Sequence, residues 1–249
     1  PPHPAAGVAG IELAAARGRG IPVCNAPGAN RIAVAEAALL LMLGLARRLP
    51  ASRAAFAAAE IGVPVGIQLA GRTLGVVGLG QSGSALAERA RALGMTVISL
   101  RSTSSAAERR DFWGAAEIFS IHCPLTPATR GLVDAAAFAA MRPRALLVNC
   151  ARGAILDRAA LADALASGRL GGVGLDVFWD EPWDPADPLF GHTLVMTLPL
   201  IILSIFALGF GFFNPFRGGH EEAESLAVMV TALGMALFGV FSSWLVYGW

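Results

Sequence analysis

The chain has no lysine: its basic residues are all arginine, 19 of them against 18 acidic side chains, for a net charge of +1 in 249 residues. The arginine-only choice reads as coding bias, and the near-neutral balance removes an electrostatic case for nucleic acid. Cysteine is scarce. Cys24, Cys123 and Cys150 are far apart, odd in number and form no C-x-x-C pair. This excludes a disulfide framework and a zinc site, and leaves small core residues in a reducing compartment as the reading. Residues 1–4 carry neither an initiator methionine nor a signal-peptide pattern, so the chain reads as a fragment lacking its true start. Charge is sparse too, at 15%, and from Leu194 onward only Arg217, Glu221, Glu222 and Glu224 are charged.

What is present is apolar, 55% of residues, and unevenly arranged. Residues 21–24 read as a short strand and residues 25–30 (NAPGAN) as a turn-rich loop. Residues 32–49 have helical character. Their uncharged stretch 37–46 is too short for a bilayer and predicts a buried core helix. Residues 50–70 show no strong period and read as a connector. Beyond Gly71 the pattern becomes regular. Strands are predicted at 73–77, 96–100, 118–122, 145–149 and 172–176. Helices are predicted at 82–93, closed by Gly94, at 134–141, and from an Asp157 N-cap to Ser167, with Gly168 as its stop. Strands alternating with helices imply a parallel sheet covered on both faces: an α/β, Rossmann-type, doubly wound sheet.

Gly78-Leu79-Gly80-Gln81-Ser82-Gly83 is G-x-G-x-x-G placed between a predicted strand and helix. That context gives the motif meaning. Gly78 permits a tight turn, Gly80 a close approach of backbone to a pyrophosphate, and Gly83 close packing of helix on strand. The helix N-terminus then offers free N–H groups and a positive dipole end to the anion. An acid at the end of the second strand would bind the ribose 2′-OH of NAD. The chain has Leu100-Arg101-Ser102-Thr103 there, and Arg101 suits the 2′-phosphate of NADP. A solvated arginine at a strand end is the plain alternative.

Residues 20–30 (GIPVCNAPGAN), 34–36, 122–132 (HCPLTPATRGL), 148–153 (VNCARG) and 174–182 (GLDVFWDEP) stand in order around this loop. Together they resemble the D-2-hydroxyacid dehydrogenases, the group that includes phosphoglycerate dehydrogenase and glyoxylate/hydroxypyruvate reductase, over about residues 5–190. The resemblance implies a dehydrogenase of small 2-hydroxy acids, or a reductase of 2-oxo acids, using NAD or NADP and often homodimeric. It makes Arg152 the clamp on the substrate carboxylate, a task suited to the guanidinium fork. It makes Glu181 the carboxylate beside the catalytic histidine, and Gly7 and Val8 the loop whose N–H groups share the substrate carboxylate. Along the cofactor it lays Gln81, Ser82, Ser102, Pro124, Thr129, Cys150, Ala151 and Asp176. Three departures follow. The start of the substrate domain is missing. The stretch from Arg101 to Glu117 is short by about one strand. Where the family reads HPNVVVTPH, ending in its acid/base histidine, residues 192–200 read HTLVMTLPL, so Leu200 takes the histidine's place. Impaired activity is expected, or an inactive nucleotide-binding remnant tethered to a membrane.

Residues 194–213 and 226–247 are uncharged runs of 20 and 22 residues, each long enough to cross a bilayer as a helix. A two-helix transmembrane hairpin is therefore expected, with the dehydrogenase-like part cytoplasmic because it is the arginine-rich side. The tail resembles the antiporter-like large subunit of proton-pumping NADH:quinone oxidoreductase. The resemblance rests on MTLPLIIL and the two runs, and the intramembrane Lys and Glu of that machine are absent. The expected organisation is a substrate-domain remnant with hinge helix at 1–50, a Rossmann domain at 51–191 and two membrane helices at 192–249, joined as a chimera near residues 191–194.

Overall fold

The computed structural model describes residues 12–20 and 28–198. The chain divides into two compact units, Pro1–Ser204 and Ile205–Trp249, the second wholly outside the described residues. In chain order the elements are α1 (Leu13–Gly18), α2 (Arg31–Ala46), α3 (Leu49–Ala57), β1 (Thr73–Val77), α4 (Gln81–Ala92), β2 (Thr96–Leu100), α5 (Ala106–Ala115), β3 (Ile118–Ile121), α6 (Ala135–Ala140), β4 (Ala145–Asn149), a 3-10 turn (Gly153–Ile155), α7 (Arg158–Ala166), β5 (Leu170–Leu175) and β6 (Val195–Thr197).

The strands form one parallel sheet in the order β2-β1-β3-β4-β5-β6. Each central strand is a short apolar run, as burial on both faces demands. Successive side chains serve opposite faces. Leu74, Val76, Ile118, Leu146 and Val148 pack with Leu41, Met42 and Leu86 under α2 and α4. Val77, Phe119, Ile121 and Leu147 pack with Phe112, Phe138 and Leu161 under α5, α6 and α7. Within the second layer Phe112, Trp113 and Phe119 meet edge-on or tilted, with centroids 5.0–5.6 Å apart. A doubly wound sheet runs 3-2-1-4-5-6; here, among the described residues, no strand lies outside β2. The chain leaves β2, turns through residues 101–105 and enters α5 at once. This is the missing strand expected from the short stretch between Arg101 and Glu117.

Several expectations are corrected. The helix expected over 32–49 ends at Ala46, because Arg48 adopts φ 52°, a left-handed conformation that breaks the helical path. The connector expected at 50–70 begins instead as helix α3, with Pro50 in its first turn, where a missing N–H costs nothing. The buried face of α2, with Ala38, Leu41 and Met42 at 0% exposure, is part of the sheet's own core. Residues 195–197, expected inside a membrane helix from 194, are β6. They pair with β5 through Val173↔Val195 and Leu175↔Thr197, and Val195 is buried. The Rossmann unit therefore continues past residue 191. The rest of the two uncharged runs and the strand expected at 21–24 lie outside the described residues. Among the described residues no helix is long and apolar enough to cross a membrane.

Candidate functional site

The register aligns the strand ends. Leu100, Val77, Ile121, Asn149 and Leu175 stand in one row across β2, β1, β3, β4 and β5. The next residue of each strand is Arg101, Gly78, His122, Cys150 and Asp176. The carboxyl ends therefore gather residues scattered widely over the sequence into one line. The chain reverses direction across the sheet between β1 and β3, the crevice where open α/β sheets bind ligands.

The glycine loop is built for a close-approaching anion. Gly78 has φ +92°, and a Cβ there would lie 2.7 Å from the Cys123 backbone nitrogen. A Cβ on Gly83 would lie 2.2 Å from the Gly78 carbonyl oxygen, so α4 touches β1's turn backbone to backbone. Gly80, the N-cap of α4, has nothing within 4 Å of its Cβ position. The two outer glycines are needed by the protein itself, and the middle one faces open space. Pyrophosphate fits that cradle: free N–H groups and the positive end of a 12-residue helix face it. The Gln81 side chain lies over Gly28, where a Cβ would come within 1.4 Å of its Oε1.

Below this helix start, Ser82 Oγ is 3.2 Å from His122 Nδ1, and His122 Nε2 is 2.9 Å from Ser120 Oγ. Ser120 is fully buried. A neutral imidazole donates through one nitrogen and accepts at the other, so both ring nitrogens are occupied. Burial lowers the His122 pKa from 6.5 to about 4. The unfolded chain then binds the extra proton below pH 6.5 and the folded chain does not. Stability is full above pH 6.5 and falls as pH drops toward 4. The expected loss is up to about 3 kcal/mol, at roughly 1.36 kcal/mol per unit. Urea melts near neutral pH and at about pH 4.5 measure it, and His122→Asn should remove most of the difference.

At the end of β2, Arg101 N donates to Ser104 Oγ at 3.2 Å. Arg109 of α5 donates from Nε to Ser104 O and from Nη2 to Ser102 O, both at 3.1 Å. Its fork thus braces the loop, on which Arg101 and Ser102 are exposed. Thr129 Oγ1 donates to Pro124 O and accepts from Thr126 N, each at 2.7 Å, so it shapes the 124–129 loop, on which Pro124 is exposed.

At the end of β4, the fully buried Asn149 holds the turn that follows it. Its Nδ2 donates to Arg152 O at 2.9 Å and its Oδ1 accepts from Ala151 N at 3.1 Å. A Cβ on Gly153 would meet the Phe178 carbonyl at 2.2 Å, which presses this turn against the loop after β5. Arg152 is exposed, and its Nη1 donates to Ala151 O at 2.6 Å. Glu181 is exposed and turned onto its own loop, accepting from Phe178 N at 3.2 Å. Burial, with the nearby Asp176 carboxylate, pushes the Cys150 thiol well above its ordinary pKa, so it stays protonated and unreactive. His192 Nδ1 accepts from Leu194 N at 3.1 Å in the turn before β6. Gly7, Val8 and Leu200 lie outside the described residues. Leu198 N donates to Leu175 O and so extends β6 to the row of strand ends, with Leu200 two residues further on.

Asn149, Arg109 and the Ser82–His122–Ser120 chain were not foreseen. Asn149 had a readable signal, a lone amide closing an otherwise apolar strand. The histidine chain had none, since Ser82 and His122 are 40 positions apart.

The profile of the D-isomer specific 2-hydroxyacid dehydrogenase NAD-binding domain matches residues 39–201. The match runs across β6 and through most of the MTLPLIIL segment on which the antiporter resemblance leaned. D-3-phosphoglycerate dehydrogenase of Bacillus subtilis is 39% identical over 206 residues, 78% of this chain and 39% of that enzyme. The chain thus spans well under half the length of that relative. Among solved structures, a protein from Thermus thermophilus superimposes with a TM-score of 0.71 at 38% identity, covering 79% of this chain and 66% of the other. A D-isomer specific 2-hydroxyacid dehydrogenase of Xanthobacter autotrophicus, in complex with NADPH, gives 0.64 at 31% identity, covering 71% and 59%. With its glycine cradle, its row of strand ends and this match over residues 39–201, the chain belongs to the D-isomer specific 2-hydroxyacid dehydrogenase family and carries that family's NAD(P)-binding domain.

Proposed function

We propose that the chain binds NADP(H) in preference to NAD(H), and keeps the carboxylate clamp of a 2-oxo acid reductase without its proton-transfer group. The row of strand ends carries this reading: it starts at Arg101 and offers no carboxylate at the end of β2 to accept from a ribose 2′-OH. The N–H groups around Gly80 and Gln81 hold the pyrophosphate, while Arg101 and Ser102 hold the 2′-phosphate on the loop that Arg109 braces. Arg152 receives the carboxylate of a small 2-oxo acid, with Gly7 and Val8 completing that contact. The nicotinamide, when bound, supplies a hydride to the substrate's carbonyl carbon.

A proton must then reach the carbonyl oxygen. The two histidines among the described residues are both engaged, His122 with two serines and His192 in its turn. His122, with a pKa of about 4, is neutral near pH 7. Glu181 has its backbone partner, and neither histidine among the described residues is hydrogen-bonded to it. Reduction of glyoxylate or hydroxypyruvate is therefore slow. A cofactor-binding protein without turnover is the second reading, favoured by the same engaged histidines.

Arg101→Ala tests the cofactor choice. One exposed, charge-assisted contact is worth about 1–2 kcal/mol. NADPH affinity should drop roughly 5- to 30-fold while NADH affinity stays put. Equal losses for both cofactors would place Arg101 outside the phosphate site.

A further inference from the structure

The opposite end of the sheet carries a second concentration of guanidinium groups. A cleft of about 440 Å³ opens there, among the amino-terminal ends of β1, β3, β4 and β5. Arg48, Arg72, Arg142 and Arg144 line it, with Glu117 as the one carboxylate. Glu117 is committed: it accepts from Arg72 Nη1 at 2.8 Å and from Thr73 N at 3.1 Å. Among the described residues Arg48, Arg142 and Arg144 have no carboxylate partner. Arg142 uses its Nε on the Gly114 carbonyl, which aims the guanidinium and leaves its other donors available.

Backbone conformation points the same way. Three non-glycine residues of the described chain have positive φ, and two are Arg48 (52°) and Arg144 (63°). A long side chain in the left-handed region is strained, and glycine is the residue such positions favour. Such strain persists where surrounding structure enforces it, and it clusters at ligand sites. At Arg144 the enforcement is visible. Its N–H donates to Arg169 O at 2.8 Å, and its carbonyl oxygen would lie 2.3 Å from a Cβ on Gly171. The remaining wall is apolar, including Val65, Ile67 and Leu146. The volume is in the range of small-molecule sites.

We propose that this cleft is a second binding site, for a small organic anion: a charged phosphate or carboxylate group held by Arg48, Arg142 and Arg144, with an apolar body against Val65 and Ile67. It lies a strand's length from the dinucleotide row, about 16 Å for roughly five residues, so the two sites are occupied independently.

Phenyl phosphate and inorganic phosphate are the probes, with thermal unfolding and isothermal titration of the full chain as readouts, with and without NADP⁺. Phenyl phosphate should bind saturably at millimolar concentration and more tightly than inorganic phosphate, with unchanged affinity when NADP⁺ is added. Arg142→Gln and Arg144→Gly should each weaken it about tenfold. Arg144→Gly, which relieves the left-handed strain, should unfold no lower than the parent when no anion is present. Parental affinity in both variants, displacement by NADP⁺, or equal binding of the two probes would each overturn the proposal.

Discussion

Gly83→Ala is expected to cost both stability and cofactor binding, and Gly80→Ala chiefly binding. The distinction comes from what each added methyl would meet. At Gly83 it would sit 2.2 Å from the Gly78 carbonyl oxygen and 3.2 Å from Val76 Cγ1. Both belong to the core side of the loop and neither can rotate away, so α4 must retreat from β1. Overpacking of this kind costs about 1–3 kcal/mol, and the retreat draws the helix N-terminus off the anion. At Gly80 the methyl meets nothing within 4 Å, and φ of −80° suits any residue. Its cost to the fold is that of alanine at an N-cap, about 1 kcal/mol or less. It fills the space through which pyrophosphate approaches the backbone, so NADPH affinity should fall at least about tenfold. Melting curves and NADPH titrations of the two variants check this. Equal binding losses traced wholly to unfolding would mean the loop serves only as a turn.

Leu200→His should raise the rate of NADPH oxidation with glyoxylate or hydroxypyruvate by about 10²–10⁴-fold, the usual contribution of a positioned general acid. The position follows from the strand before it. Leu175↔Thr197 pairing and the Leu198 N–H to Leu175 carbonyl bond carry β6 up to the row that ends in Asp176. Two positions further along the sequence from Leu198 stands Leu200, where the family pattern has its histidine. Glu181, now accepting from Phe178 N, would turn to the new ring. The signature is a rate that declines as pH rises through the histidine's pKa, a decline the parent lacks. Adding Glu181→Gln should shift that decline to lower pH. A Leu200→His rate equal to the parent's would mean that a missing proton donor does not limit turnover.

The sheet was legible because its strands are short apolar runs punctuated by glycine and by N-cap aspartates; β2 and β4 fall where the residue pattern puts them. Asp157 caps α7 as the pattern predicts, accepting from a backbone N–H three residues on; Asp134, expected as the first residue of its helix, caps α6 in the same way. Helix α5 was missed, although Ser105 and Glu108 form a capping box that the S-x-x-E spacing announces. Strand β6 could not be separated from the apolar run that follows, since residues 194–213 carry no charge or glycine before Gly209 to mark a boundary, and only pairing with β5 sets Val195–Thr197 apart. The site was legible where chemistry follows motif, at Gly78–Gly83 and in the residue after each strand. Contacts that depend on residues distant in sequence, such as His122 with Ser82, leave no mark on either segment.

The most direct test is a fluorescence titration of the full chain with NADPH and with NADH at one ionic strength. The account predicts saturable binding of one dinucleotide per chain, with NADPH held roughly 5- to 30-fold more tightly, the worth of one charge-assisted contact at Arg101. Binding of neither cofactor would contradict the glycine cradle as a working site. Binding of NADH as tightly as NADPH would contradict the role given to Arg101.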